Sequence, residues 1–89
     1  DSSHEMLELG EKIYALNHWP DDKTEFIQAD AFVYLRDAVE RGDEYDIVVL
    51  DPPKFAHNKR QVENACRGYK DLNMNAFKII KPGGYLMTF

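Results

Sequence analysis

The chain has 89 residues, 44% apolar and 30% charged, the composition of one ordinary globular unit with room for a single small core. No apolar run reaches the roughly 20 residues of a bilayer span, and no signal-peptide pattern opens the chain. Its lone cysteine, Cys66, excludes an internal disulfide framework and a cysteine-rich zinc site and suits a reducing, cytoplasmic setting. The net charge of −5 divides unevenly, with 14 acids against 4 bases in residues 1–53 and 7 bases against 2 acids in residues 54–89. That balance argues against general polyanion binding and allows one local phosphate-contacting face.

Ser2 and Glu5 have the spacing of a capping box, and Met6, Leu9, Ile13 and Leu16 recur at steps of three and four. Residues 4–18 therefore read as an amphipathic helix, ended by Pro20 and the polar Asp21-Asp22-Lys23. Residues 24–29 read as a short strand. Asp30 stands where it can cap a second helix over 31–41, with Phe32, Leu35 and Val39 inward and Gly42 as the stop.

The run Tyr45–Leu50 is the strongest strand, and its unbroken β-branched stretch predicts a parallel strand covered on both faces. Neither Pro52 nor Pro53 can donate to a ladder, so the chain must leave the sheet at Asp51. Residues 60–80 read as helical, with a break near Gly68. Lys81-Pro82-Gly83-Gly84 reads as a helix exit and turn, followed by a last apolar strand over 85–89. The order helix–strand–helix–strand–helix–strand predicts an α/β fold with a parallel three-stranded sheet, at least one of whose edges would need a partner, a second copy of the chain among the candidates.

Ligands of open α/β sheets bind beyond the carboxyl ends of the strands. Asp30 and Asp51 follow strands directly, and Asp1 would join them if a strand preceded it. Such acids can accept hydrogen bonds from ribose hydroxyls or an adenine amino group. The plain alternative is an N-cap for Asp30 and a turn-forming acid for Asp51. In Asp51-Pro52-Pro53-Lys54-Phe55 the prolines fix φ and remove two donors, so carbonyls stand ready to receive the amino edge of a flipped base. Phe55 either stacks on that base or packs inward. Lys54, Lys59, Arg60, Arg67 and Lys70 supply cations for phosphate, although Arg67 has helical spacing to Asp71.

Other constellations point nowhere. Ile47–Asp51 resembles a Walker B strand, but no phosphate-binding glycine loop accompanies it. His4, His18 and His57 lack metal-ligand spacing, and Cys66, among Val62, Ala65 and Tyr69, reads as a packed structural thiol.

Five tracts occur in a telling order: Asp1-Ser2-Ser3, Gln28-Ala29-Asp30-Ala31-Phe32, Tyr45 through Phe55, Ala65-Cys66-Arg67-Gly68-Tyr69-Lys70-Asp71, and Lys81-Pro82-Gly83-Gly84. Together they resemble the class I S-adenosylmethionine-dependent methyltransferases. Within these, the chain looks like the ribosomal RNA large-subunit methyltransferase I group, which makes 5-methylcytosine. The resemblance implies a Rossmann-like parallel sheet with flanking helices, an RNA substrate and S-adenosylmethionine as cofactor. It implies that Asp1 and Ser2 bind the cofactor ribose, that Asp30 and Ala31 contact adenine, and that Asp51, Pro52 and Pro53 line the junction of methionine and target base. Lys54, Phe55, Arg67 and Lys70 would face RNA.

The resemblance further implies that residues 1–89 are a central portion of a catalytic domain. The family's glycine-rich first motif and everything after the fifth strand would lie outside them, including the cysteine that adds to cytosine C6; Cys66 does not match that cysteine. The 89 residues alone would then be inactive. A guanine-N7 methyltransferase shares the Asp-Pro-Pro-Lys-Phe tract but matches the second long tract poorly. A receiver-type signalling module with Asp51 as phosphoacceptor, or a non-catalytic RNA-binding module, are the readings from other classes.

Overall fold

A computed structural model describes residues 1–89. The chain forms two compact units, Asp1–Val33 and Tyr34–Phe89.

The first unit is built on α1, His4–Leu16. Its cap is Ser3 and not Ser2: the Ser3 hydroxyl accepts the Met6 amide at 3.3 Å, and Asp1 Oδ1 in turn accepts the Ser3 amide at 2.8 Å. The helix stops two residues short of its predicted end. His18 takes the left-handed conformation (φ 53°), its amide reaches the Ala15 carbonyl, and the Trp19 amide reaches back to Tyr14. These two bonds are the six-to-one and five-to-two pair of a Schellman cap, here with histidine where glycine is usual. The accompanying apolar contact is present as well, because Trp19 packs edge-on against Tyr14 at 5.3 Å. On its other side Tyr14 meets Phe26 edge-on at 5.2 Å. Gly10 makes room for Phe26; a Cβ there would lie 2.8 Å from the ring.

Residues 24–29 form no regular strand, contrary to the sequence reading. What they do form is one rung: the Asp1 amino group donates to the Ile27 carbonyl at 3.1 Å, and the Ala29 amide donates to the Asp1 carbonyl at 2.9 Å. Donation to residue 27 and acceptance from residue 29 is the pattern of a parallel ladder centred on Gln28. One rung does not make a strand.

Helix α2, Ala31–Arg41, begins as predicted, with Asp30 Oδ1 accepting the amides of Phe32 (2.8 Å) and Val33 (3.3 Å). The second unit holds the rest of α2, strand β1 (Tyr45–Leu50), a 3₁₀ turn over Lys59–Gln61, helix α3 (Val62–Lys78) and strand β2 (Ile80–Thr88). β1 and β2 are parallel neighbours in a two-stranded sheet, against which α3 packs. The fold is thus α/β with a parallel sheet and flanking helices, two strands where three were expected. α3 runs unbroken through Gly68; the change of pitch comes earlier, at Gln61. The tract Lys81-Pro82-Gly83-Gly84 is no terminal turn but a bulge inside β2. Tyr45 pairs with Ile80, and Ile47 already pairs with Tyr85. The bulge brings Gly84 so close to β1 that a Cβ would sit 2.6 Å from the Asp46 carbonyl oxygen.

The core comprises Leu35, Ala38, Ala65, Leu72, Ala76 and Ile79. Within this unit Arg36 of α2 is ion-paired with Asp71 of α3. At the end of α2, Asp43 accepts a two-pronged bond from Arg41 and raises its pKa. A hydrogen bond with Tyr34, aided by desolvation, raises that of the Tyr45 phenol. Coverage of β1 departs from expectation. Val48, Leu50 and Leu86 are half-buried, but the alternate residues Ile47, Val49, Tyr85 and Met87 are 54–72% exposed. Only one sheet face is covered, because α3 is the single helix packed on it.

Candidate active site

Within the first unit, the parallel rung sets Asp1 beside Gln28, two residues before Asp30. Asp1, Ser2, Asp30 and Ala31 are thereby gathered at one end of the unit, and all four are exposed. Each carboxylate spends one oxygen locally: Oδ1 of Asp1 on the Ser3 amide, Oδ1 of Asp30 on the first turn of α2. The N-cap reading of Asp30 is therefore realised. It does not exhaust the group, since a carboxylate has about four acceptor positions.

In the second unit the site is the loop leaving β1. The Asp51 carboxylate is exposed and makes no hydrogen bond or ion pair within the protein. Pro52 is half-buried; Pro53 and Lys54 are exposed. The prolines cannot tie the loop down through amides, so other groups do so. The Phe55 amide donates to the Tyr69 hydroxyl at 3.0 Å, and that hydroxyl donates to the Pro53 carbonyl at 3.4 Å. Farther along, the His57 amide donates to Gln61 Oε1 at 2.8 Å, and Asn58 Oδ1 accepts the amides of Arg60 and Gln61 to start the 3₁₀ turn.

Two expectations are revised here. The Pro53 carbonyl is engaged by Tyr69 instead of standing ready for a ligand. Of the two fates open to Phe55, the structure shows inward packing: its ring lies on Tyr69, centroids 4.4 Å apart and planes 20° from parallel.

The basic residues do not all gather at this loop. Lys54 lies in it, and Lys70 follows Tyr69 on α3. Arg67, two positions before Tyr69, emerges about 160° around the helix from it. Its guanidinium is held by Glu63 at 2.8 Å and not by Asp71, which Arg36 occupies. Cys66 is exposed, against the expectation of a packed thiol. Ala65 fills the buried position, and one residue on the helix has turned by about 100° toward solvent. No helix is long and apolar enough to cross a membrane.

Tyr69 is the residue that sequence reasoning passed over. Its spacing from Ala65, Leu72 and Ala76 marks it as part of a buried stripe, and nothing in that spacing reveals where its hydroxyl goes. The donor-poor prolines before Phe55 were the available signal, since a loop without its own amides needs an outside partner.

No protein-family model matches the chain. Along all 89 residues, however, it is 46% identical to the ribosomal RNA large subunit methyltransferase I of Escherichia coli O1:K1. The chain is similar throughout to these methyltransferases. The same protein of Aeromonas hydrophila is also 46% identical and that of Salmonella arizonae 45%, again over the whole chain. In each case the chain spans 22% of the relative's length. The resemblance carried by the five tracts is therefore matched by identity along the full sequence, and the α/β unit with its parallel strand pair is consistent with part of a methyltransferase fold.

Proposed function

We propose that the protein carrying these residues is an S-adenosylmethionine-dependent methyltransferase of ribosomal RNA, acting at cytosine C5. The observation that carries this reading is the 46% identity sustained over all 89 residues. The loop geometry supports it: an acid at the carboxyl end of a parallel strand, followed by two prolines and anchored by a helix, suits a site that must be preorganised.

The chemistry of the donor set fits the cofactor. Asp1 and Ser2 would hold its ribose, and Asp30 with Ala31 its adenine; both acids keep acceptor capacity after their local bonds. Asp51 would face the methionine end, next to Pro52 and Pro53. When bound, the cofactor supplies an electrophilic methyl group. The residues of this chain bind and orient: the three carboxylates select hydrogen-bond donors, and the proline pair fixes the backbone against which a base is presented. Lys54 and Phe55 in the loop, with Arg67 and Lys70 on α3, would serve the RNA side, Phe55 by shaping the loop through its stack on Tyr69.

The test is methyl transfer by the full-length protein, with labelled S-adenosylmethionine and large-subunit ribosomal RNA. Labelled 5-methylcytidine is expected in the RNA digest, with a loss of about 100-fold in Asp51→Ala. Label in 7-methylguanosine would move the target to guanine N7. No label in RNA would overturn the proposal.

A further inference from the structure

We propose that Tyr69 is a positioning residue for the methyl-transfer site: its side chain clamps the loop of residues 51–55 in one conformation. This rests on the functional reading above for its consequence, but the clamp itself stands on geometry.

The loop has an unusual difficulty. Two consecutive prolines follow Asp51, so the first amides available to anchor it are those of Lys54 and Phe55. Tyr69 meets that need with three contacts from one side chain. Its hydroxyl accepts the Phe55 amide at 3.0 Å, donates to the Pro53 carbonyl at 3.4 Å, and its ring lies parallel to Phe55 at 4.4 Å. A phenol is suited to this, because one oxygen both donates and accepts. The two bonds straddle Lys54 and so fix the chain on either side of it.

The clamp is rigidly mounted. Tyr69 lies on the same stripe of α3 as Ala65, Leu72 and Ala76, all buried, so its backbone is held by the core. Core packing alone would be satisfied by phenylalanine. The hydroxyl adds nothing to the stripe and everything to the loop, which separates a positioning role from a purely structural one. Asp51 and Pro52 stand between the end of β1 and the clamped Pro53, so the segment assigned to the methionine–base junction is fixed at both ends.

The test uses the full-length protein and the Tyr69→Phe variant, which keeps the ring and removes both hydrogen bonds. In the wild type the Phe55 amide should exchange with solvent about tenfold more slowly than the Lys54 amide, and Y69F should erase that difference. In the same variant kcat for RNA methylation should fall by about tenfold, while KM for S-adenosylmethionine changes by less than about twofold and the melting temperature by only a few degrees. Equal exchange at Phe55 and Lys54 in the wild type, or an unchanged kcat in Y69F, overturns the proposal. A wild type that transfers no methyl group overturns the functional reading instead, and the exchange comparison still decides the clamp.

Discussion

Residues 1–33 and residues 34–89 are held together in different ways. All six buried apolar residues belong to the second unit. The first buries none on its helix; Met6, Leu9, Ile13 and Leu16, the regular stripe of α1, are 41–80% exposed. Its order comes from local devices: the Ser3 cap, the Schellman turn at His18, the edge-on trio of Tyr14, Trp19 and Phe26, and one parallel rung at Asp1. The contrast teaches that periodicity identifies which face of a helix is apolar without showing that anything covers it. The functional candidates divide along the same line. In the first unit the acids are positioned by main-chain bonds at element ends. In the second the loop is positioned by a side chain rooted in the core.

Three variants sharpen the contrast. Leu72→Ala removes a side chain that is 3% exposed and should cost about 2–5 kcal/mol in urea unfolding. A cost below about 1 kcal/mol would mean that the core of the second unit is not where stability resides. His18→Gly relieves a left-handed non-glycine residue and should raise stability by about 0.5–1 kcal/mol, seen as a higher melting temperature. A loss there would show that the histidine side chain contributes more than its backbone strain costs. In the 89-residue chain, Leu9→Ala, at a position 49% exposed, should change stability by no more than about 0.5 kcal/mol. A large loss would break the comparison, because the α1 stripe would then have to be buried in solution.

Much of this was readable beforehand, for reasons tied to particular residues. α2 and β1 occupy their predicted ranges because Asp30 is a strong cap and Tyr45–Leu50 a continuous β-branched run bounded by prolines. The loop after Asp51 was legible because two prolines leave a chain few options. Residues 24–29 form no strand because a strand needs a neighbour for more than the one rung found at Asp1. The Lys81–Gly84 tract looked like a turn by composition. In the fold its glycines serve a bulge, where Gly84 passes within 2.6 Å, by the measure of an added Cβ, of the Asp46 carbonyl. The exposure of Cys66 and the role of Tyr69 escape a sequence reading for a common reason. Neighbours on a helix differ by about 100° in direction, so adjacency in sequence does not tell which side chain meets a loop, the core or solvent.

The proposal of methylation at cytosine C5 of ribosomal RNA predicts a missing modification when the gene is absent. Mass spectrometry of large-subunit ribosomal RNA from a strain lacking the gene tests it most directly. One 5-methylcytosine should disappear, and should return when the wild-type gene is restored but not when the Asp51→Ala gene is. Ribosomal RNA with an unchanged 5-methylcytosine content would contradict it.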